Sequence, residues 1–370
     1  MRKIYPGYLA FCAAGLFLIM LISSCSKGGG SGNNPTPTVK PFATLGLYEV
    51  DSGIYKRVFI PISGVGTSTS TTYYLVFDTG SAGMTIDATG LIPASMITSS
   101  GITVPGDSAV VNGITITNKT AVVSYGDAQS EISEYGNLAY STVIIGDANG
   151  KITTKRIPIF LYYKIMDVGS NTQQPAHSND VFGVGPGYSF ANNAIGSPLR
   201  YFASANGVLS GFKLAKFSAA AYTTNGTYVN DLLTIGLVPE DVNPNSGFVM
   251  HQLTYYSQGG YSPDIAATVK YNNTTVNATI LFDTGTPAIS TIENSGASSN
   301  LASLPANTPI TLTTSSGFTY SYTTSSADNI TQVAKPSYTG DPRTIFSINF
   351  FNDNQFLMDY TGHEIGLKNN

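Results

Sequence analysis

The chain has 370 residues and a net charge of −4 at pH 7; 42% of its residues are hydrophobic and only 11% are charged. This length accommodates one large domain or two of medium size, with enough apolar residues for a substantial core. Because the chain is slightly acidic and carries no long basic run, we expect no nucleic-acid partner.

The first 24 residues have the pattern of an export signal. Arg2 and Lys3 precede the apolar run YLAFCAAGLFLIMLI, which ends in small residues before Cys25. A charged start, an apolar middle and small residues before a cleavage point are typical of secretory signals. The sequence ISSC resembles the lipobox of bacterial lipoproteins. This resemblance implies cleavage before Cys25 and lipidation of this residue. An uncleaved membrane anchor is the alternative, although the apolar run is short for a span.

Residues 25–41 are rich in Gly, Ser and Pro, which predicts a flexible tether between a membrane and a folded domain. The lipoprotein resemblance, with Ser26 rather than an acid after Cys25, implies a lipid-anchored protein of the bacterial cell envelope, sorted to the outer membrane. Whether it faces the periplasm or the outside is open. The chain has two cysteines, Cys12 and Cys25, so we expect no disulfide in the exported domain.

From Phe42 onward, short β-branched and aromatic runs alternate with turn residues, which predicts an all-β sandwich or barrel. The first series of strands extends from YKRVFIPISG to KRIPIFLYY, and the second extends from DLLTIGLV through IFSINFF to NQFLMDY. Helix signals are scarce, and the strongest covers residues 197–210. The polar, Pro-containing residues 239–246 favour a boundary between two lobes, which we place at residues 42–242 and 243–370.

The sequence FDTG occurs twice, at residues 77–80 and 282–285, each time after an apolar run and before a hydroxyl residue. A single Asp-Thr-Gly at the end of a strand is most simply a turn. Two copies half a chain apart instead predict that Asp78 and Asp283 meet across a two-fold. Such carboxylates share a proton, because like charges raise one pKa. One can then act as base on a water molecule while the other acts as acid toward a carbonyl oxygen.

The two FDTG motifs make the chain similar to the pepsin-like aspartic proteases, in which two aspartates are known to share a proton. Three further segments, in the order of that family, add to the resemblance. The segment VVSYGDAQSEISEYGNLAYSTVIIG resembles the flap hairpin of that family. The segment SNDVFGVGP resembles its Asp-hydrophobic-hydrophobic-Gly sequence, here Asp180 to Gly183. The text TIFSINFFNDNQFLMDYTGHEIGL resembles its closing strands, so the resemblance extends over residues 42–367.

The resemblance implies an all-β, bilobal fold with two pseudo-two-fold related lobes and a cleft that binds an extended polypeptide. It implies an aspartic endopeptidase without a covalent intermediate, in which Asp78 and Asp283 are catalytic. Its implied supporting residues are Thr79, Gly80, Ser81, Thr284, Gly285 and Thr286. The hydroxyls of Ser81 and Thr286 and the two glycine amides are implied to bond the same, outer carboxylate oxygens. Tyr125 and Gly126 of the flap are implied to cover the substrate.

Departures from the family pattern, above all the missing Trp and Ser347, leave a second hypothesis open. The chain contains no Trp, so the usual partner of the flap tyrosine is missing and Thr85 stands at that position. Asp127 lies near the flap tip, where it favours a basic substrate side chain or faces solvent. Ser347 replaces an expected Gly. The alternative is therefore a catalytically weak or inactive surface lipoprotein that binds peptides.

The chain shows no sign of a metal or cofactor site. Three histidines are scattered without the spacing of metal ligands, and we expect each at the surface or in a turn: His177, His251 and His363. We therefore expect no metal and no cofactor. Because the two-fold is already internal, we expect a monomer.

Overall fold

The computed structural model describes residues 39–51, 53, 55–202 and 207–369. The predicted signal peptide (residues 1–24), the predicted lipidation site at Cys25 and the tether up to residue 38 lie outside the described residues. Within those ranges, no helix is long and apolar enough to cross a membrane.

The described chain is built almost entirely of strands, which confirms the predicted all-β class. The strands of the first part are β1 (Ala43–Val50), β2 (Arg57–Val65), β3 (Tyr73–Asp78), β4 (Ala82–Asp87), β5 (Ile97–Thr98), β6 (Gly101–Ile102), β7 (Ser108–Val111), β8 (Ile114–Tyr125), β9 (Ile132–Ser141), β10 (Val143–Asp147), β11 (Gly150–Thr153), β12 (Ile157–Asp167), β13 (Thr172–Gln173), β14 (Val181–Val184), β15 (Leu209–Leu214), β16 (Thr227–Leu237) and β17 (Val249–Gln252).

The second part adds shorter strands and brief helices. The strands are β18 (Tyr255–Tyr256), β19 (Gly260–Tyr261), β20 (Ile265–Tyr271), β21 (Thr274–Phe282), β22 (Ser290–Glu293), β23 (Leu301–Ser303), β24 (Pro309–Thr314), β25 (Thr319–Thr323), β26 (Thr331–Ala334), β27 (Thr344–Phe346), β28 (Asn354–Asp359) and β29 (Glu364–Asn369). The α-helices are α1 (Pro336–Thr339) and α2 (Phe350–Asp353), and 3₁₀ helices cover Ala94–Met96, Pro198–Tyr201 and Pro244–Ser246.

Two large sheets organise these strands. The first sheet contains β1–β4, β7–β17 and the last two strands, β28 and β29, and the second sheet contains β20–β27. The C-terminal strands return to the first sheet, where β28 pairs with β15 and β29 pairs with β17. The predicted lobe boundary between residues 242 and 243 stays a prediction.

Equivalent strand pairs lead into the two FDTG motifs. Strand β3 runs parallel to β14, with Phe77 opposite Phe182, and β21 runs parallel to β27, with Phe282 opposite Phe346. Phe77 and Phe282 are buried. Burial of a phenylalanine side chain contributes about 1.5–3 kcal/mol, so packing holds the end of each strand in place. The repeated arrangement carries the internal pseudo-two-fold.

A chain of aromatic rings connects the phenylalanines of the two motifs through the core. Successive ring centroids lie 4.1–6.0 Å apart along the path Phe77, Phe212, Phe356, Phe351, Phe350, Phe282. Two of these rings come from α2, so the strand predicted over IFSINFF is wrong after Phe346. The short helix turns both side chains into the core, where such ring pairs add to the energy of burial.

The helix predicted over residues 197–210 is also wrong. Only Pro198–Tyr201 is helical, as a 3₁₀ turn in which the Ser197 hydroxyl accepts a hydrogen bond from the amide of Leu199. Gly207 has φ +82°, a left-handed conformation that interrupts a helix, and β15 begins at Leu209. Residues 203–206 lie outside the described residues.

Candidate active site

The threonines of the two motifs exchange hydrogen bonds. The amide of Thr79 donates to the Thr284 hydroxyl at 3.0 Å, and the amide of Thr284 donates to the Thr79 hydroxyl at 3.0 Å. The hydroxyls in turn donate to the opposite strand ends, Thr79 to Phe282 O at 2.7 Å and Thr284 to Phe77 O at 2.5 Å. Both threonines are buried. This closed, symmetric set of bonds joins the two motifs by their backbones.

The Asp78 carboxylate is held by donors from its own turn. Its Oδ1 accepts hydrogen bonds from the amides of Gly80 at 2.7 Å and Ser81 at 3.1 Å. Its Oδ2 accepts from the Ser81 hydroxyl at 2.6 Å. Three donors therefore fix the plane of the carboxylate, which is 7% exposed.

The Asp283 carboxylate has the matching environment. Its Oδ1 accepts from the amide of Gly285 at 2.7 Å and its Oδ2 from the Thr286 hydroxyl at 2.6 Å. The expectation that amide and hydroxyl bond the same oxygen is wrong in both turns. In each turn the glycine amide and the hydroxyl instead bond different oxygens, so they approach the carboxylate from opposite sides.

The two carboxylates face each other across the glycines, since Gly80 lies against Asp283 and Gly285 against Asp78. Burial raises the pKa of Asp78 well above its usual range, and the nearby charge of Asp283 raises it further. The hydroxyl of Ser81 and the amide of Gly80 act in the opposite direction, because they stabilise the ionised form. Burial and like charge prevail, so the pair retains a proton to a higher pH than an isolated aspartate.

Two arginines that interact with the aspartate pair could not be recognised from the sequence, because no motif surrounds them. Burial lowers the pKa of Arg57 on β2, while the charges of Asp283 and Asp78 raise it. Arg343, just before β27, is also influenced by Asp283, although its main partner is Asp341. Both cations favour one negative charge on the aspartate pair.

The fold is similar to that of known structures. The aspartic proteinase from Irpex lacteus has 17% sequence identity and a TM-score of 0.56, over 88% of this chain and 97% of that one. Conglutin gamma, a basic 7S globulin from lupine seeds, has 13% identity and a TM-score of 0.56, over 90% and 96%. Basic 7S globulin from soybean has 12% identity and a TM-score of 0.56, over 89% and 96%.

The chain has the pepsin-like aspartic proteinase fold. This confirms the predicted bilobal architecture, with β lobes related by a pseudo-two-fold and a cleft between them. No protein-family model and no curated protein sequence matches the chain. At identities of 12–17%, similarity to solved structures establishes the fold alone.

The flap of this pepsin-like fold is the hairpin of β8 and β9, in which Tyr125 pairs with Ile132. The hydroxyl of Tyr125 lies 3.4 Å from the hydroxyl of Thr85, the residue that the resemblance placed at the position of the missing Trp. Burial raises the pKa of Tyr125 well above its usual range, and the charges of Glu134 and Asp78 raise it further. Tyr125 therefore stays a neutral hydroxyl group close to Asp78.

Ser347 stands at a position where the first sheet of the pepsin-like fold has a glycine. At Gly183, the equivalent position, a Cβ would lie 2.8 Å from the Ser81 hydroxyl oxygen. Ser347 is buried, and it accepts a hydrogen bond from the Ser290 hydroxyl at 3.2 Å. Strand β22 pairs with β27 at a single residue pair, Thr291 with Ile345.

The histidines have separate structural roles in the pepsin-like fold. His251 is buried and contacts Ile365 O and the Thr314 hydroxyl, so its predicted surface position is wrong. His177 lies in a turn with its Nδ1 2.7 Å from Asp180 Oδ2. His363 stacks on Tyr261. Within the described ranges, no group of three or more His, Cys, Asp or Glu residues could hold a metal ion.

Proposed function

We propose that this protein is an aspartic endopeptidase that hydrolyses peptide bonds with water activated between Asp78 and Asp283. The observation that carries the proposal is the matched environment of the two carboxylates. Each accepts a glycine amide on Oδ1 and a hydroxyl on Oδ2. A binding surface has no need of two facing acids in the same orientation, because their repulsion costs free energy without a gain in affinity.

In the proposed reaction the pair holds one proton and one negative charge. The ionised carboxylate takes a proton from the water, whose oxygen attacks the carbonyl carbon, while the protonated carboxyl donates its proton to the carbonyl oxygen. The tetrahedral diol then collapses. A proton passes from the diol to the amide nitrogen through the pair, the C–N bond breaks, and acid and amine products leave. The pair recovers its single proton without a covalent intermediate.

Substrate recognition is proposed to use an extended polypeptide in the cleft, held by backbone hydrogen bonds and side-chain pockets. The flap covers it, and the Tyr125 hydroxyl lies on the side of Asp78. The predicted signal and lipid anchor at Cys25 support a protein tethered to a bacterial cell envelope, where it would act on peptides or on exposed protein segments as a monomer.

The alternative is a protein that binds peptides but has lost turnover. Its support comes from the two seed globulins that share this fold at comparable similarity. The fold therefore does not decide between catalysis and binding, and the matched environment of the two aspartates is what favours catalysis.

The test uses the chain from Lys40 onward, incubated with a mixed peptide library between pH 3 and pH 7. We expect cleavage by the wild type, strongest at the acidic end, and none by Asp78→Asn or Asp283→Asn. A matched control is Asp231→Asn, an exposed aspartate at φ +60°, where asparagine is well tolerated. A folded wild type that cuts no peptide would contradict the proposal and leave the binding protein.

A further inference from the structure

The flap tip (residues 126–131) is hydrogen-bonded to α1, the helix that connects β26 and β27 of the second sheet. The amide of Ala128 donates to Thr339 O at 2.9 Å. The side-chain amide of Gln129 donates to Tyr338 O at 2.9 Å, between residues 209 positions apart in the chain. A Cβ on the neighbouring Gly340 would lie 3.3 Å from the Ala128 Cβ. The flap tip therefore contacts α1 and Gly340, which precede β27 of the second sheet.

The flap tip is shaped for these contacts by its own turn. Gly126 has φ +94°, and a Cβ there would lie 2.2 Å from Ser130 O, so the close turn requires glycine. The Asp127 carboxylate accepts hydrogen bonds from the amide of Gln129 at 2.9 Å and from the Ser130 hydroxyl at 3.0 Å. Asp127 is thus engaged within the turn, where it fixes the backbone from which Gln129 extends.

The acceptors on α1 are equally well placed. The last carbonyls of any helix have no partner within the helix and are available to other donors. Helix α1 ends at Thr339 and is capped by Gly340, which has φ +75° and whose amide donates to Pro336 O. This end leaves Tyr338 O and Thr339 O directed at the flap, so donors and acceptors match without rearrangement.

We propose that the bonds from Ala128 and Gln129 to α1 are a clasp that holds the flap closed in the resting protein. On the proposed function, an extended substrate then reaches Asp78 and Asp283 only after the clasp opens. The clasp borders a cavity of about 500 Å³ that is lined by flap residues and by residues of α1 and of the segment between α1 and β27.

The clasp is weak enough to open, because both flap residues are exposed to water. Loss of one exposed hydrogen bond shifts such an equilibrium by about two- to tenfold. We therefore expect Gln129→Ala to increase the rate of hydrogen exchange at the Ala128 amide by about two- to tenfold. The matched control, Gln173→Ala, removes an exposed glutamine from β13 and should leave that rate unchanged.

A reversible lock tests the link to substrate entry. The Cβ separation of 3.3 Å between positions 128 and 340 is close to that of disulfides, about 3.5–4.5 Å. The full chain with Cys12 and Cys25 replaced by serine would carry Ala128→Cys and Gly340→Cys as its only thiols. We expect oxidation to lower kcat/KM for a peptide at least about tenfold and dithiothreitol to restore it. Each single cysteine variant should be unaffected by oxidation, which separates the lock from strain at Gly340.

The two measurements distinguish the clasp from the proposed function. Slow exchange at Ala128 that Gln129→Ala accelerates supports the clasp even if the wild type cleaves no peptide, in which case only the proposed function fails. Exchange at Ala128 as fast as in an unstructured peptide would overturn the clasp whatever the activity. So would an oxidised double-cysteine protein that cleaves peptides as fast as its reduced form.

Discussion

Gly80 lies so close to Asp283 that a Cβ on the glycine would be 2.7 Å from the Asp283 carboxyl carbon. The relationship is reciprocal, since a Cβ on Gly285 would lie 2.7 Å from the carboxyl carbon of Asp78. Each glycine makes room for the carboxylate of the other motif. The spacing of the acids is therefore set by backbone contacts and not by adaptable side chains.

The glycine contacts predict that Gly80→Ala and Gly285→Ala each push the opposite carboxylate away. A displacement of about 1 Å at a reacting group costs about a hundredfold in rate. We expect kcat/KM to fall by about that factor, while overpacking lowers the free energy of unfolding by about 1–3 kcal/mol. Peptide cleavage and thermal unfolding check this, with Gly169→Ala as a control at an open position. Wild-type activity in Gly80→Ala would contradict it.

The reciprocal hydrogen bonds between Thr79 and Thr284 predict that Thr284→Val destabilises the junction of the two motifs. Valine keeps the shape but removes the acceptor for Thr79 N and the donor to Phe77 O. Unpaired buried polar groups cost about 1–3 kcal/mol, which urea denaturation would detect. The control is Thr275→Val, which changes an exposed threonine on β21. Equal stability of the two variants would show that the hydrogen bonds between Thr79 and Thr284 contribute nothing to the free energy of unfolding.

The aspartate pair predicts a specific pH dependence of stability. Since the pKa of Asp78 is raised in the folded protein, the fold retains a proton that the unfolded chain has lost. The folded state is thus relatively favoured at low pH, and this advantage disappears as pH rises through the folded pKa. Asp283→Asn removes the like charge, so we expect it to be more stable than the wild type at neutral pH and similar at pH 3. Denaturation of both proteins between pH 3 and neutral pH measures the two free energies of unfolding. A difference between them that does not change with pH would contradict the prediction.

A second buried acid predicts a separate effect of pH on stability. Burial raises the pKa of Glu49 on β1 to about 7, although the Ser218 amide lowers it slightly, against 4.5 for an ordinary glutamate. Above about pH 7 the folded protein must ionise this buried carboxyl group. Glu49→Gln should match the wild type near pH 4 and exceed its free energy of unfolding by about 3 kcal/mol above pH 8. Glu240→Gln, an exposed change, should show no such difference.

The sequence could predict the features that depend on local pattern. Apolar runs ending in FDTG predict both the strand ends and the turns that carry Asp78 and Asp283, and Tyr-Gly marks the end of β8. The helical turn at α2 was missed because its phenylalanines have the composition of a strand and turn inward only through contacts with Phe282 and Phe356. The clasp joins Gln129 to Tyr338, a contact that exists only after both lobes have folded.

The central claim is that Asp78 and Asp283 work as one unit on a water molecule. Its most direct test compares two peptides by calorimetry, one with a hydroxymethylene group in place of the cleaved bond and one with a plain methylene. Transition-state mimics bind about a hundredfold or more tighter than ground-state analogues. We predict that the hydroxyl tightens binding to the wild type by at least about this factor, and that Asp78→Asn and Asp283→Asn abolish the gain. Equal binding of both peptides to the wild type would contradict the claim.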